Sequence, residues 1–300
     1  MKTKIFCDIA DIRQIKKFNK KKIVKGFTTN PSLMRKAGAK NYKDYSKKIL
    51  KICNKKPVSL EVFSDQVERM KEQGLKISSW GKNVYVKIPV VNSKGIFMGK
   101  VIKKLNSQNI KINITAVYTA KQVKKILKNI NKKTKVIISI FAGRAADTGK
   151  DPVPEFKKSI KMAKKFKNVE ILWASVREPY NYLQAKQLKC HIITVPPKII
   201  EKIEVFGKSF KKLTTDTVKA FYHCMIDPEK SVGKIFNIAG GNKYSIAELI
   251  KILKKALNKE FLSESYTGES WKGDIEKLWA DAPLREFDDE DFVKINSSTK

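Results

Sequence analysis

The chain has 300 residues, of which 64 are basic and 29 acidic, and its formal net charge is +35. Hydrophobic residues make up 42% of it, so a sizeable core is available, and the length suits one large domain with a small appendage. Nearly all of the basic residues are lysines spread along the whole chain, which argues against a dedicated nucleic-acid surface. We therefore expect no nucleic-acid partner.

The sequence also gives no support for a membrane or a metal. No apolar run approaches the ~20 residues of a membrane span, and the chain starts directly with a strand pattern instead of a signal peptide. Cysteines occur at positions 7, 53, 190 and 224. They form no CxxC pair, which is typical of free thiols in a reducing compartment, and His191 and His223 lack the spacing of a metal site. We expect a cytoplasmic protein with no membrane partner and no metal.

Short apolar runs rich in β-branched residues recur along the first two hundred residues and predict strands. They span residues 4–10, 23–29, 58–64, 84–90, 112–118, 136–142, 169–175 and 191–196. Helical periodicity separates them, as in the stretch where Val123, Ile126, Leu127 and Ile130 fall on one face. The alternation predicts an α/β fold, a closed (β/α)8 TIM barrel. A doubly wound open sheet is the alternative, but its glycine-rich first turn is absent.

Lys87 differs from the other lysines because it lies within an apolar run, VYVKIPVV, at residues 84–91. Such a run predicts a buried strand, where an ammonium group is costly to keep charged. A neutral buried amine is the nucleophile that Schiff-base chemistry uses. The alternative is a lysine at a strand end whose side chain reaches solvent.

A barrel favours the chemical role for Lys87, because active sites of this fold lie at the C-terminal ends of the strands. Almost every predicted strand carries a polar residue near that end. In chain order these residues are Asp8, Thr28, Thr29, Asn30, Glu61, Lys87, Asn113, Thr115, Ser139, Arg144, Ser175 and Arg177. Two carboxylates and a lysine that converge on one dry site would push one another's pKa values apart, as acid–base catalysis requires.

Motifs spread over residues 1 to about 228 resemble the transaldolase family, in its short single-barrel branch related to fructose-6-phosphate aldolase. The matching stretches are CDIADIRQI, VKGFTTNPSL, VSLEVFSD, VYVKIPVV, NITAVYTAKQ, ISIFAGRAADTGKD, ILWASVREP, IITVPPKII and LTTDTVKAF. Ile140 and Ala142 depart from the pattern, since the family usually has proline and a branched residue there. These departures affect the shape of a loop and no reacting group.

The resemblance implies a metal-independent aldol transfer that needs no cofactor. Lys87 would attack the carbonyl of a ketose phosphate and form the Schiff base. Asp8 would take the hydroxyl proton that starts carbon–carbon cleavage. Glu61, through a water held with Thr115, would move protons while the carbinolamine forms and loses water.

The resemblance also implies which groups hold the substrate. The substrate-binding residues would be Thr29, Asn30, Asn113, Ser139 and Phe141. The phosphate would be bound by Arg144, Ser175 and Arg177, since a guanidinium fork suits phosphate oxygens. In this family the transferring branch carries glutamate and phenylalanine at the positions of Glu61 and Phe141, whereas the free-aldolase branch tends to glutamine and tyrosine.

The leading hypothesis is therefore a transaldolase of the pentose phosphate pathway. It would transfer a dihydroxyacetone unit between sugar phosphates such as sedoheptulose 7-phosphate or fructose 6-phosphate and glyceraldehyde 3-phosphate or erythrose 4-phosphate. One alternative is a free aldolase acting on fructose 6-phosphate or on a surface-sugar precursor. Another is a non-catalytic barrel that serves as a binding or scaffold subunit.

Residues 1–228 would form the barrel, and residues 229–300 a small α-rich extension that is partly flexible. Residues 231–284 resemble the C-terminal end of the extended short-chain dehydrogenases, which include nucleotide-sugar epimerases. The glycine-rich turn and Tyr-x-x-x-Lys pair of that family lie in its N-terminal part and are absent here, so we expect no dinucleotide cofactor. We expect a homo-oligomer whose subunit contacts the extension alters.

Overall fold

The computed structural model describes residues 3–226, 234–236 and 243–245. The chain divides into two units, residues 1–206 and residues 207–300. Residue 228, where the sequence predicts a boundary, lies outside the described residues, as does most of the predicted extension at 229–300.

Strands β1 to β8 build the first unit, and each begins within one residue of its predicted start. They are β1 Lys4–Asp8, β2 Val24–Thr28, β3 Val58–Glu61, β4 Val84–Pro89, β5 Ile112–Val117, β6 Val136–Phe141, β7 Val169–Ala174 and β8 Ile192–Val195. Consecutive strands pair in parallel, and β1 also pairs with β8, which closes the barrel. The predicted TIM barrel is confirmed, and the open-sheet alternative is wrong.

Helices alternate with these strands and cover the outside of the barrel. They are α1 Ile12–Asn19, α2 Pro31–Lys36, α3 Tyr42–Cys53, α4 Val67–Ser78, α5 Gly99–Ser107, α6 Ala120–Leu127, α7 Ala142–Ala146, α8 Val153–Ala163, α9 Tyr180–Gln187 and α10 Pro197–Glu204. Several start at side-chain caps: Asp11, Asn30, Asn41 and Thr119 each accept a hydrogen bond from the backbone N–H three residues on. The caps at Asp11, Asn30 and Thr119 lie in turns that connect a strand to a helix, whereas Asn41 lies between α2 and α3.

Helix α6 shows how the predicted apolar face is used. Val123, Ile126 and Leu127 are buried against the barrel, as expected. The helix ends at Leu127, however, so Ile130 lies beyond it and packs on the core from the following turn. Helix periodicity therefore located the face correctly and extended the helix by three residues too many.

The two-residue period of the strands decides which side chains enter the barrel. Side chains of one parity, including Phe6, Tyr85 and Ile137, form a cluster in its interior. Side chains of the other parity pack against the helices. Gly26 leaves room for the ring of Phe6, since a Cβ atom there would lie 2.6 Å from it. Nearer the C-terminal ends of the strands, the side chains that point into the barrel are the polar residues described below.

Cys7, Cys53 and Cys190 are free and buried, as predicted, whereas the side chain of Cys224 lies outside the described part of the chain. Burial raises the pKa of Cys53 and of Cys190 to about 12. Because the thiolate is the reactive form of cysteine, these two side chains act as apolar filling and not as nucleophiles.

The second unit contains helix α11, Phe210–Ile226, and an antiparallel pair of short strands, β9 Lys234–Phe236 and β10 Lys243–Ser245. Phe210 and Val218 on α11 are exposed. Within the described residues of the chain, no helix is both long enough and apolar enough to cross a membrane.

Candidate active site

A cavity of about 230 Å³ lies at the C-terminal ends of the barrel strands. Its lining is Asp8, Thr28, Asn30, Lys87, Thr115, Ser139, Phe141, Arg144, Ala174, Ser175, Arg177 and Thr194. Nine of the twelve predicted site residues are in this lining. The other three, Thr29, Glu61 and Asn113, lie directly behind it and contact its members or neighbouring strands.

Lys87 and Glu61 form an ion pair at this end of the barrel. The parallel register of β3 and β4 sets Glu61 opposite Lys87, and both residues have the inward parity. The Nζ atom of Lys87 lies 3.1 Å from Oε2 of Glu61, and the side chains are only 11% and 19% exposed. Nζ also donates a hydrogen bond to the carbonyl oxygen of Thr29, over 3.3 Å. The amine is thus held in place by a carboxylate that can exchange a proton with it.

The backbone of Glu61 is fixed from outside the barrel by Tyr42 of α3. The Tyr42 hydroxyl donates to the carbonyl oxygen of Glu61 at 3.0 Å and accepts from its N–H at 2.9 Å. Strand β3 ends at Glu61, so these two bonds replace the ladder bonds that a longer strand would supply. Tyr42 therefore positions the carboxylate without lining the cavity.

Asp8 lies at the end of β1 in a chain of hydroxyl groups. The Thr28 hydroxyl donates to Oδ1 of Asp8 at 2.7 Å, and the Thr28 and Thr194 hydroxyl oxygens are 2.6 Å apart. Burial raises the pKa of the Asp8 carboxyl, and this outweighs the opposing effects of the Thr28 hydrogen bond and the Lys87 charge. A carboxyl with a raised pKa is a better proton acceptor once it is ionised, as a general base must be.

Asn113 and Ser139 belong to a buried network that crosses three strands. The Asn113 amide donates to the Ser59 hydroxyl at 2.9 Å, and its carbonyl oxygen accepts from the Ser139 hydroxyl at 2.7 Å. Asn113 has no exposed surface. The structure therefore brings Ser139 to the cavity wall and places Asn113 behind it, where it orients Ser139.

Thr115 lies next to an irregularity in β5. The pairing of β5 with β6 shifts by one residue between Ile114 and Val117, and Ala116 has a positive φ of 58°. This β-bulge follows Thr115 and ends the regular strand at the cavity. The Thr115 hydroxyl is buried and has no hydrogen-bond partner among the described residues, so it is available to a bound molecule.

Asn30 and Thr29 follow β2 and have structural partners. The Asn30 side-chain oxygen caps α2 by accepting from the N–H of Leu33 at 2.8 Å. The Thr29 hydroxyl donates to the carbonyl oxygen of Ser59 at 2.8 Å. Asn30 lines the cavity, whereas Thr29 contributes through its carbonyl contact with Lys87.

The predicted phosphate-binding residues meet on one side of the cavity, after β6 and β7. The Ser175 hydroxyl accepts a hydrogen bond from the Arg144 N–H at 3.2 Å, and the Arg144 guanidinium carbon lies 5.6 Å from the centre of the Phe141 ring. Arg177 is paired with Asp147 through two hydrogen bonds, of 3.1 and 2.5 Å. An anion that binds Arg177 must therefore compete with the Asp147 carboxylate, whose pKa this pairing lowers.

Replacing Gly143 by alanine is expected to disturb this side of the cavity. A Cβ atom at Gly143 would lie 1.8 Å from the carbonyl oxygen of Ser175 and 3.0 Å from Cγ of Arg177, and Ser175 already has a positive φ of 61°. We expect a loss of ~1–3 kcal/mol in the free energy of unfolding, the usual cost of overpacking, measured by urea denaturation. The exposed residue Ala146 of the same helix, changed to serine, provides the control. Equal stability of the Gly143 and Ala146 variants would contradict the expectation.

Several neighbours of the site were not predicted as members of it, among them Thr194, Ala174, Tyr42 and Asp147. Thr194 and Ala174 could have been found from the inward parity at the ends of β8 and β7. Tyr42 and Asp147 lie on helix α3 and after helix α7, and their partners are far away in sequence. No local pattern indicates such pairs.

Comparison with known proteins agrees with the geometry. The family model described as transaldolase/fructose-6-phosphate aldolase matches residues 5–236. A probable transaldolase of Nitrosopumilus maritimus is 36% identical over 202 residues, which cover 67% of this chain and 86% of that protein. One of Herpetosiphon aurantiacus is 33% identical over 201 residues, with the same coverage. One of Thermoplasma volcanium is 35% identical over 229 residues, covering 71% of this chain and 97% of that protein.

The family model covers the part of the chain that builds the barrel and its cavity. The predicted resemblance to transaldolases is therefore confirmed, whereas the resemblance predicted for residues 231–284 lies almost wholly outside the described residues. Since the match covers every strand of the barrel, the chain belongs to the transaldolase/fructose-6-phosphate aldolase family, as an enzyme of the transaldolase type.

Proposed function

We propose that the protein is a class I transaldolase that uses Lys87 as its Schiff-base residue and needs neither a metal nor a cofactor. It would transfer a dihydroxyacetone unit from fructose 6-phosphate or sedoheptulose 7-phosphate to an aldose phosphate, within the pentose phosphate pathway. One observation carries the proposal. The Lys87 amine, largely withdrawn from solvent, reaches a polar cavity while its Nζ atom stays within 3.1 Å of the Glu61 carboxylate.

The reaction would begin with proton transfer from the Lys87 ammonium to Glu61, which frees the nitrogen lone pair. The amine then attacks the ketose carbonyl carbon, and the resulting carbinolamine loses water to give an iminium ion. Glu61 and the Thr115 hydroxyl would relay the protons of these steps, because both groups lie at or beside the cavity.

Cleavage would follow when Asp8 removes the proton from the hydroxyl group two carbons beyond the iminium carbon. The carbon–carbon bond breaks, the aldose phosphate leaves, and the bonding electrons move into the iminium group to form an enamine. The enamine attacks the aldehyde of the acceptor, and hydrolysis releases the product and the free lysine. The Arg144 and Arg177 guanidinium groups, at the exposed rim of the cavity, would hold the sugar phosphate.

Trapping of the Schiff base tests this proposal. The full chain is incubated with fructose 6-phosphate and sodium borohydride, and its peptides are analysed by mass spectrometry. We expect a mass increase on the peptide that contains Lys87. A label on a different lysine would refute the assignment, and the absence of any label would favour the non-catalytic binding subunit.

A free aldolase is the second candidate, and Phe141 favours transfer over it. Phe141 lines the cavity, and its ring packs edge-on against Tyr118 with ring centres 5.9 Å apart. An apolar ring offers no proton to the enamine, which must survive until the acceptor arrives.

The substitution Phe141→Tyr is therefore expected to raise the ratio of free dihydroxyacetone to transferred product. We expect a rise of roughly tenfold, equivalent to ~1.4 kcal/mol between the two transition states. The assay supplies fructose 6-phosphate with and without erythrose 4-phosphate and measures dihydroxyacetone and sedoheptulose 7-phosphate. Tyr118→Phe, which removes a hydroxyl from the adjacent ring, is the control. An unchanged ratio in Phe141→Tyr would show that Phe141 does not affect whether the enamine is protonated or transferred to the acceptor.

We further propose that the protein is cytoplasmic and forms a homo-oligomer. Free buried cysteines are typical of a reducing compartment. On α11, Phe210 is 88% exposed and Val218 is 59% exposed, which is unusual for large apolar side chains that have no partner in solution. Light scattering is expected to give a mass of at least two chains, each of 34.3 kDa. A monomer at micromolar concentration would contradict the proposal.

A further inference from the structure

The opposite end of the barrel carries a second cavity, of about 680 Å³. It lies among the turns that lead into β3 to β6, and its floor includes Phe6, Tyr85 and Ile137 of the interior cluster. Tyr85 precedes Lys87 by two residues, and strands rise ~3.3 Å per residue, so the packed interior separates this cavity from the candidate active site. We call it the N-terminal cavity.

Lysines dominate the wall of the N-terminal cavity. Six of them form no ion pair among the described residues: Lys25, Lys55, Lys82, Lys111, Lys133 and Lys135. A seventh, Lys4, is paired with Glu170 at 2.5 Å, and Glu170 is the one carboxylate that the described residues contribute to the wall. The cavity therefore holds up to six uncompensated positive charges, although the whole chain has roughly one acidic residue for every two basic ones.

These charges come from different segments that the fold brings together. Lys55, Lys82, Lys111 and Lys135 each lie in the turn just before a strand, β3, β4, β5 and β6 respectively. Such turns meet at the N-terminal end of a barrel whatever their sequence separation. The ring of lysines is thus a product of barrel closure and not of one basic run.

Lys111 shows how crowded these ammonium groups are. Its Nζ atom lies 5.4 Å from the centre of the Tyr85 ring and donates a hydrogen bond to the carbonyl oxygen of Lys82. Burial, and then the charge of Lys135, lower the pKa of Lys111. A bound anion would offset the repulsion between these ammonium groups and stabilise their charged form.

We propose that the N-terminal cavity binds a small anion with several linked phosphate groups, an oligophosphate. Its volume is large enough for such a molecule, and several ammonium groups around one concavity suit several adjacent negative charges. None of the described residues in the wall is an arginine, so recognition would rest on charge density and not on the two parallel hydrogen bonds of a guanidinium group. The lysines converge on one concavity, which suits a compact chain of linked phosphates better than the evenly spaced phosphates of a nucleic-acid duplex.

A neighbouring groove of about 580 Å³ extends the same basic surface. It shares Lys4, Lys133 and Lys135 with the N-terminal cavity and adds Lys132, Lys164 and Lys167. A chain longer than three phosphates could continue along this groove. Affinity should therefore rise with the length of the phosphate chain.

Isothermal titration of the full chain tests the proposal, with orthophosphate, inorganic tripolyphosphate, a longer polyphosphate and ATP as separate ligands. We expect tripolyphosphate to bind more tightly than orthophosphate and the longer chain more tightly still, with affinity falling as salt rises. Comparable affinity for ATP and tripolyphosphate would identify the phosphate chain as the recognised part. Clearly tighter binding of ATP would show that the nucleoside also contributes.

Two triple variants with the same change of net charge locate the site. Changing Lys25, Lys111 and Lys135 to glutamine is expected to weaken tripolyphosphate binding roughly tenfold or more. The control changes the exposed helical lysines Lys16, Lys47 and Lys121 to glutamine and is expected to leave the affinity nearly unchanged.

Thermal unfolding verifies that the variants fold. Tripolyphosphate should raise the melting temperature of the unaltered chain by mass action and have much less effect on the cavity variant. The cavity variant without ligand should melt no lower than the unaltered chain, because like charges have been removed.

Failure of tripolyphosphate to bind, equal weakening in both triple variants, or much tighter binding of a single-stranded RNA would overturn the proposal. All of these experiments measure binding in the absence of a sugar phosphate. Their outcome therefore does not depend on whether the proposed reaction takes place.

Discussion

Lys87→Met is expected to lower the transfer rate by on the order of 10⁴-fold or more, because no other amine can take the place of the covalent nucleophile. In the described structure the Glu61 carboxylate has Lys87 as its ion-pair partner, at 3.1 Å. Methionine fills a similar volume but removes the charge, so Glu61 would be left partly buried without a cation. We therefore also expect the variant to be less stable than the unaltered chain.

A second substitution separates these two effects. Lys87→Met combined with Glu61→Gln removes the unpaired carboxylate and should recover part of the lost stability while the enzyme stays inactive. Lys111→Met, a partly buried lysine at the other end of the barrel, is the control for activity. Steady-state rates and urea denaturation measure the outcome. A Lys87→Met enzyme within tenfold of the normal rate would exclude Lys87 as the nucleophile.

Asp8→Asn is expected to reduce cleavage by ~10²–10⁴-fold, the usual contribution of a general base, and at the same time to stabilise the fold at neutral pH. The amide keeps an oxygen that can accept the Thr28 hydrogen bond but carries no charge to bury. The gain in stability follows from the raised pKa of Asp8 in the folded protein. Function at this position thus costs stability.

The pH dependence has a definite sign. Because burial raises the folded pKa of Asp8 above its ordinary value of 3.8, the folded state binds this proton more tightly than the unfolded chain does. Asp8 therefore lowers stability progressively as the pH rises from about the ordinary value through the folded pKa. The stabilisation by Asp8→Asn should be full above the folded pKa and should disappear as the pH falls towards 3.8.

Thermal unfolding of both proteins across this pH range measures the effect. Asp11→Asn is the control, because Asp11 caps α1 and asparagine caps helices equally well. Stability gains that are equal for the two variants, or that grow towards acid pH, would contradict the assigned pKa shift. A normal rate in Asp8→Asn would show that another group removes the proton.

The sequence by itself determined the strands and the polar residues near their C-terminal ends. Short β-branched runs are a local property, so they located β1 to β8 within one residue at their starts and identified Asp8, Lys87 and Ser139 as polar residues near strand C-termini. The general rule for barrels then placed these residues at one end. Nine of the twelve predicted site residues line the cavity, and four of them, Asn30, Arg144, Ser175 and Arg177, follow a strand instead of lying in it.

Only the tertiary structure decided which of these groups touch one another. Whether Lys87 meets Glu61 at 3.1 Å depends on the register of β3 against β4, and register is not written in either strand alone. The same holds for Tyr42 beneath Glu61 and for Asp147 on Arg177, since each contact joins segments that are distant in the chain. In the sequence, the lysines of the N-terminal cavity are indistinguishable from dozens of others. They become a site only because closure of the barrel brings the turns before its strands to one end.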